Sequence, residues 1–272
     1  MKKFLMNGLL FAMIIGGTTL LQAEETVPDD FQLRLGGYLL AGQDTDIGVS
    51  KKGGGVNINL QDLFEMETTT QVFRLDGYYR FTPTHAVEFS WYSINNSSQT
   101  DTDIDFEWGD KNISASGALS TYFDTDIYKV NYLYSFYHTE KVELGLSAGL
   151  HITTLNVGFT GNYTSDGVAD NSGEDAEVTA PLPVVGFRLN YNILPELSVK
   201  YAVDYFFITF DSTTGSLTDS LLSVDYRITR HFGMGVGFNS TLMRLETDVK
   251  DDATLNISHN VVGGLVYGTL NF

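Results

Sequence analysis

The sequence predicts an all-β chain: an antiparallel up-and-down barrel of about ten transmembrane strands, with eight and twelve as alternative counts. Three observations carry that expectation. Apolar and polar positions alternate with period two over stretches of ~10 residues, the length of a tilted membrane strand. Tight turns and long acidic connections punctuate these stretches in turn. The last stretch carries Val262, Val266, Leu270 and Phe272 on even positions, and an aromatic ring at a strand end suits a lipid interface.

Residues 1–23 read as an export signal: Lys2 and Lys3, an apolar run over 4–21, and Ala23 as the small residue before a cut. Residues 24–272 are then the outer-membrane barrel with its acidic loops. The first strand is expected near 31–42. In the second, Phe73, Leu75, Gly77, Tyr79 and Phe81 share one face while Arg74, Asp76, Tyr78 and Arg80 share the other. After a turn at Thr82-Pro83-Thr84 the third sets Val87, Phe89 and Trp91 against Glu88, Ser90 and Tyr92. Segments at 104–108 and 113–119 form a hairpin too short to span a bilayer, expected to stand above it.

The fourth strand opposes Tyr128, Val130, Tyr132, Tyr134 and Phe136 to Lys129, Asn131, Leu133 and Ser135. The fifth opposes Leu144, Leu146, Ala148, Leu150 and Ile152 to Glu143, Ser147, Gly149 and His151. Strands near 178–192, 197–210, 217–228, 232–245 and 255–272 complete ten. Phe81, Phe136, Tyr191, Tyr226 and Phe232 border the short turns, as an interfacial girdle does.

Composition narrows the function. At 43% hydrophobic and 13% aromatic residues the chain is not disordered. It has no cysteine, which excludes disulfides, thiolate metal sites and a lipid-anchoring cysteine. With 34 acids against 16 bases and a net charge of −18, nucleic acid is not a partner. Nearly all the acids fall in the outer connections, Asp219 being assigned to the edge of the fourth. The tripled Asp-Thr-Asp-Ile at 44–47, 101–104 and 124–127 makes divalent cations an expected partner of the acidic loops, bridging Asp101, Asp103, Asp124 and Asp126 to lipopolysaccharide. The alternative is a hydrated acidic surface. No cofactor is expected.

The inward face is expected to carry a charge network of Arg74, Asp76, Arg80, Glu88, Lys129, Arg188, Lys200, Asp204, Asp225 and Arg227, together with Arg34. Pairing across the short turns would set Tyr78 opposite Glu88, Asp76 opposite Ser90, Arg80 diagonal to Glu88, and Arg188 against Lys200. Ten strands enclose a narrow lumen, so these side chains are expected to plug it rather than line a channel. Leu182, Val184, Phe206, Ile208 and Phe210 form an expected apolar patch in the lumen, with Leu182 opposite Phe206.

The signal, alternating strands, short inner turns, long outer loops and final Phe272 resemble the small outer-membrane β-barrel proteins of Gram-negative bacteria, with an OmpA/OmpW-like architecture. The resemblance implies outer-membrane lipid, lipopolysaccharide and the barrel-insertion machinery as partners, with Phe272 as the assembly signal. It implies a non-enzymatic role, structural or at the surface, or slow passage of small solutes. An OmpW-like passage of hydrophobic molecules through the apolar patch is one alternative. An outer-membrane hydrolase acting on lipid A or peptides is another, for which His151-Ile152-Thr153 has the alternation of a base and a hydroxyl but threonine in place of serine.

Overall fold

The computed structural model describes residues 29–51, 54–63, 70–108, 111–165, 168–170, 173–249 and 253–272. The expected export signal and the acids Glu65, Glu67, Asp110, Asp166, Asp251 and Asp252 lie outside these residues. In chain order the elements are β1 (Phe31–Lys51), β2 (Gly54–Asn59), the single helical turn α1 (Leu60–Leu63), β3 (Gln71–Thr82) and β4 (His85–Trp108). They continue as β5 (Lys111–His138), β6 (Val142–Ser165), β7 (Val168–Asp170), β8 (Glu174–Leu194), β9 (Leu197–Phe210), β10 (Thr213–Arg227), β11 (Phe232–Val249) and β12 (Ala253–Asn271).

Ten of these strands make one closed antiparallel barrel in the order β1-β3-β4-β5-β6-β8-β9-β10-β11-β12, and β12 returns to pair β1. Phe31 and Phe272 complete the closure by exchanging two backbone hydrogen bonds of 2.9 Å each. The short arms β2 and β7 extend β1 and β6 outside the closed ladder, so they add nothing to the count of ten. Closure leaves only the limited edges of a barrel, which is how an unstapled chain satisfies its backbone within lipid.

The parity expected from sequence holds around the wall. On β5, Tyr128, Val130, Tyr132, Tyr134 and Phe136 are exposed while Lys129, Asn131, Leu133 and Ser135 are buried. The outward face changes from apolar to polar partway up the strands: at Asp44 on β1, Ser93 on β4, Asp126 on β5, Thr154 on β6, Thr209 on β9, Ser220 on β10 and Asn260 on β12. Below these positions lies a belt which on β5 runs from Tyr128 to Phe136, roughly 20 Å in height for a tilted strand. The aromatics Phe81, Phe136, Tyr191, Tyr226 and Phe232 ring its short-turn edge, all exposed.

Above the belt the expected long loops are largely sheet. β4 and β5 run for 24 and 28 residues and pair without interruption on the β4 side, so the hairpin expected at 104–119 is their shared far end. On its β6 side β5 breaks register between Ala115 and Leu119, where Gly117 takes φ +92°, a conformation that favours glycine. The fourth connection is no loop. β9 and β10 meet at a two-residue turn over Asp211, itself at φ 53°, and Ser212, so β10 begins four residues before the expected 217.

Candidate functional site: the barrel lumen

Inward side chains fill the barrel in layers. Nearest the short turns, Arg227 pairs with Asp29 at the rim, half exposed. Next, Asp225 receives Lys200 at 2.7 Å and Arg34 at 3.2 Å, while the Tyr267 hydroxyl donates to its other oxygen. Beside this group Arg80 binds Glu143 at 2.7 Å and also donates to the Pro83 carbonyl. Arg80 faces Ala86 and so stands diagonal to Glu88 as expected, but its ion-pair partner is Glu143 of β6.

Deeper, Arg74 is 3% exposed. Its Nε lies 2.9 Å from Asp76, two residues along the same face, and its Nη1 donates to the Asn239 side-chain oxygen at 2.7 Å. Arg188 bridges Glu88 and Asp204, each at 2.8 Å. Tyr78 faces Glu88 and Asp76 faces Ser90 as expected. The pairing of Arg188 with Lys200 is overturned. A bulge between Asn192 and Leu194 shifts the β8–β9 register, so that Arg188 faces Ala202 and Lys200 faces Asn190. The shift separates two like charges and delivers each to a carboxylate.

Asp219 was expected at a loop edge and is instead 3% exposed in the lumen. It shares the inward face of β10 with Ser223 and Asp225, and there it pairs with Lys129 and accepts from Asn239 at 2.7 Å and Thr241 at 3.0 Å. The His151 ring stands 4.0 Å from the same carboxylate. Over this layer the rings of Tyr38 and Tyr92 meet edge to face at 5.5 Å, and the Arg74 guanidinium sits 4.6 Å from the Tyr92 ring centre. Leu40, Ile94, Ile127 and Val261 pack with them as an apolar layer. Gln61 of α1 turns inward above, fully buried, donating to the Thr45 hydroxyl and accepting its backbone N–H, and Thr45 in turn meets His259 at 2.9 Å.

Two cavities of about 120 Å³ each lie among the ion pairs, and an opening of about 490 Å³ lies at the short-turn mouth; a further hollow of about 610 Å³ lies against Asp46, Thr214, Arg244 and Asn256, away from the ion pairs. Water fits in the first two, a sugar-sized solute does not.

Of the expected apolar patch, Val184 is buried and Leu182 and Phe206 are half-buried, but Ile208 is exposed and Phe210 is 76% exposed. Leu182 does not face Phe206, because β8–β9 pairing ends at Val185–Tyr205. His151 and His259 are both buried inward with separate neighbours.

The two Asp-Thr-Asp pairs of β4 and β5 stand apart from each other. Asp101 stands opposite Ala118 and Asp124 opposite Asn95, so the two pairs sit six residues apart along the ladder, ~20 Å at strand rise. Among the described residues no three metal-ligating side chains cluster. Asp124 faces outward just above the belt, and its carboxyl is raised above the ordinary range, first by partial burial and then by Asp126 on the same face.

No family model matches the chain, and no curated protein matches it. Among solved structures, the outer membrane protease OmpT of Escherichia coli is 10% identical at a TM-score of 0.58, over 92% of this chain and 99% of that one. The translocator domain of the autotransporter NalP of Neisseria meningitidis is 10% identical at 0.41, over 89% of each chain. OprG of Pseudomonas aeruginosa is 10% identical at 0.35, over 90% and 96%. The first of these establishes a shared fold, that of Gram-negative outer-membrane barrels.

Proposed function

We propose that this chain is a non-enzymatic integral protein of the bacterial outer membrane, closed to solutes, whose tall acidic sheet outside the cell is its working surface. The observation that carries this reading is the sealed lumen. Arg74, Lys129, Arg188 and Lys200 are each held by carboxylates from other walls or their own strand, and an aromatic and aliphatic layer lies over them. Opening a path would strip several buried charges of partners at about 3–5 kcal/mol each.

The plug also weighs against hydrolysis, since His151 is 1% exposed and a general base must reach its substrate. The acidic wall fits a location facing water, because β4 and β5 continue far beyond the belt with polar outward positions such as Asn95, Ser97 and Gln99. The test is single-channel recording in planar bilayers. The expected outcome is no steady conductance from the wild-type protein and flickering steps from Arg74→Ala/Lys129→Ala. Steady wild-type steps would overturn the reading.

A further inference from the structure

The ladder between β8 and β9 runs from Leu194–Leu197 to Val185–Tyr205 and stops, although β8 continues along β6 to Glu174 and β9 along β10 to Phe210. The sequence supplies the cause. Successive residues of an antiparallel strand direct their N–H and C=O alternately to one neighbour and the other. The Asn192 N–H donates to the Lys141 carbonyl, and the register to β6 is unbroken from Tyr191 to Glu174, so even-numbered residues of β8 serve β6. The odd-numbered ones serve β9. Two of them are Pro181 and Pro183, which have no N–H to give.

On β9, the Glu196 carbonyl accepts from Arg227 of β10, which leaves Phe207 and Thr209 as the residues whose backbone points at β8. The prolines therefore withdraw donors where the wall would otherwise close, and a seam opens at the upper edge of the belt.

Its surroundings say what it suits. Pro183, Val185, Tyr205 and Phe207 form outward lips continuous with the lipid-facing belt, all exposed. Behind them stand Leu182, Phe206 and Ile208, over a buried floor of Val184 and Leu217. Beneath the floor the Arg188–Asp204 and Lys129–Asp219 pairs block further travel. Above, Glu174, Asp175, Glu177 and Asp211 are acidic, and neither 174–187 nor 201–226 contains Lys or Arg.

We propose that this seam is a lateral docking cleft, blind at its inner end, for one alkyl chain of an amphiphile with an uncharged or cationic head. The blind end rests on the closed-lumen reading; the cleft itself does not. Hydrocarbon enters from the belt side because the lips and the belt are one surface. Anionic heads are turned away by the carboxylates above. A peptide strand is the poorer occupant, since the prolines deny it donors along β8.

The test uses methyl-labelled protein in nanodiscs titrated with 1-dodecanol, alongside amide exchange without ligand. The Phe207 and Thr209 amides should exchange at least ~100-fold faster than that of Tyr205, which is inside the ladder. Methyl groups of Leu182, Val184 and Ile208 should shift saturably while those of Val266, on the far belt, should not. Dodecanoate should bind about tenfold more weakly. Pro181→Thr/Pro183→Thr should protect both amides and abolish the shifts, and Ile208→Ser should weaken binding in an unaltered fold. Wild-type protection at Phe207 and Thr209, or unsaturable shifts equal to those of Val266, would overturn the cleft. So would binding confined to a lysine-rich extended peptide. Shifts reaching Leu133 would overturn the blind end and the closed lumen together, whereas loss of the cleft alone leaves the lumen reading standing.

Discussion

Within the lumen, the unit of stability is a charge with its partners, and the Lys129–Asp219 pair is the sharpest instance. Both groups are buried, and Asn239 and Thr241 occupy the carboxylate's other oxygen. Lys129→Ala strands that carboxylate and is expected to destabilise the barrel by about 3–5 kcal/mol. Lys129→Ala/Asp219→Ala should recover much of this, because an empty pair is less costly than a lone charge. Urea unfolding of the two variants in lipid vesicles measures the difference, and equal losses would mean the pair does not act as a unit. The parity of Lys129 was legible from its aromatic neighbours on β5. Asp219 was assigned to the loop edge because the Thr, Ser and Gly before it read as a loop, although it lies within the expected strand and shares the parity of Asp225. Only the backbone shows that 213–217 continue the strand to a tight turn. A polar segment with small side chains is ambiguous between sheet and connection until its partner is known.

At the level of the strand, register decides which residues meet, and bulges decide register. The expected pairs across the Pro83 turn were correct because that hairpin carries its irregularity only beyond Arg80. Those across Pro195 and Glu196 were displaced because the bulge at Asn192 lies inside the turn flank, where sequence alone gives no sign of it. Close approach is the other element-scale constraint. A Cβ on Gly235 would meet the Tyr267 ring at 2.5 Å and Asp225 Oδ1 at 2.6 Å, so this glycine makes room for the hydroxyl–carboxylate contact between β12 and β10. Gly235→Ala should destabilise by about 1–3 kcal/mol through overpacking, with Tyr267→Phe unable to relieve it because the ring remains. Thermal melting of both variants reads this, and a neutral Gly235→Ala would show that Tyr267 can swing aside. Asp225 and the Tyr267 ring both claim the space that Gly235 leaves. Phe272 is held in the same region, its ring stacked on His231 at 5.2 Å, and its role as an assembly signal is proposed on the resemblance alone.

For the whole barrel, a boundary on the outer wall separates oil from water, and it is set by composition rather than by any single residue. Outward positions change from apolar to polar partway along while the strands themselves continue, so the membrane boundary is invisible in the ladder and plain in the side chains. This explains why ten strands were legible and their lengths were not. Period two reports a strand wherever one face meets oil, but above the belt both faces are polar or mixed and alternation loses its contrast. The boundary itself is testable by charge. Val130 is exposed inside the belt on β5, two outward positions below Asp126, and Ser93 lies just above the belt on β4, opposite Asp126. Val130→Arg should cost about 2–4 kcal/mol on unfolding from lipid vesicles and Ser93→Arg about 0–1 kcal/mol. Equal costs at the two sites would put Ser93 inside the hydrocarbon. The belt would then be taller than its apolar residues imply, and the seam at Pro181 and Pro183, here at its upper edge, would lie deeper in the hydrocarbon, where unpaired backbone groups cost more.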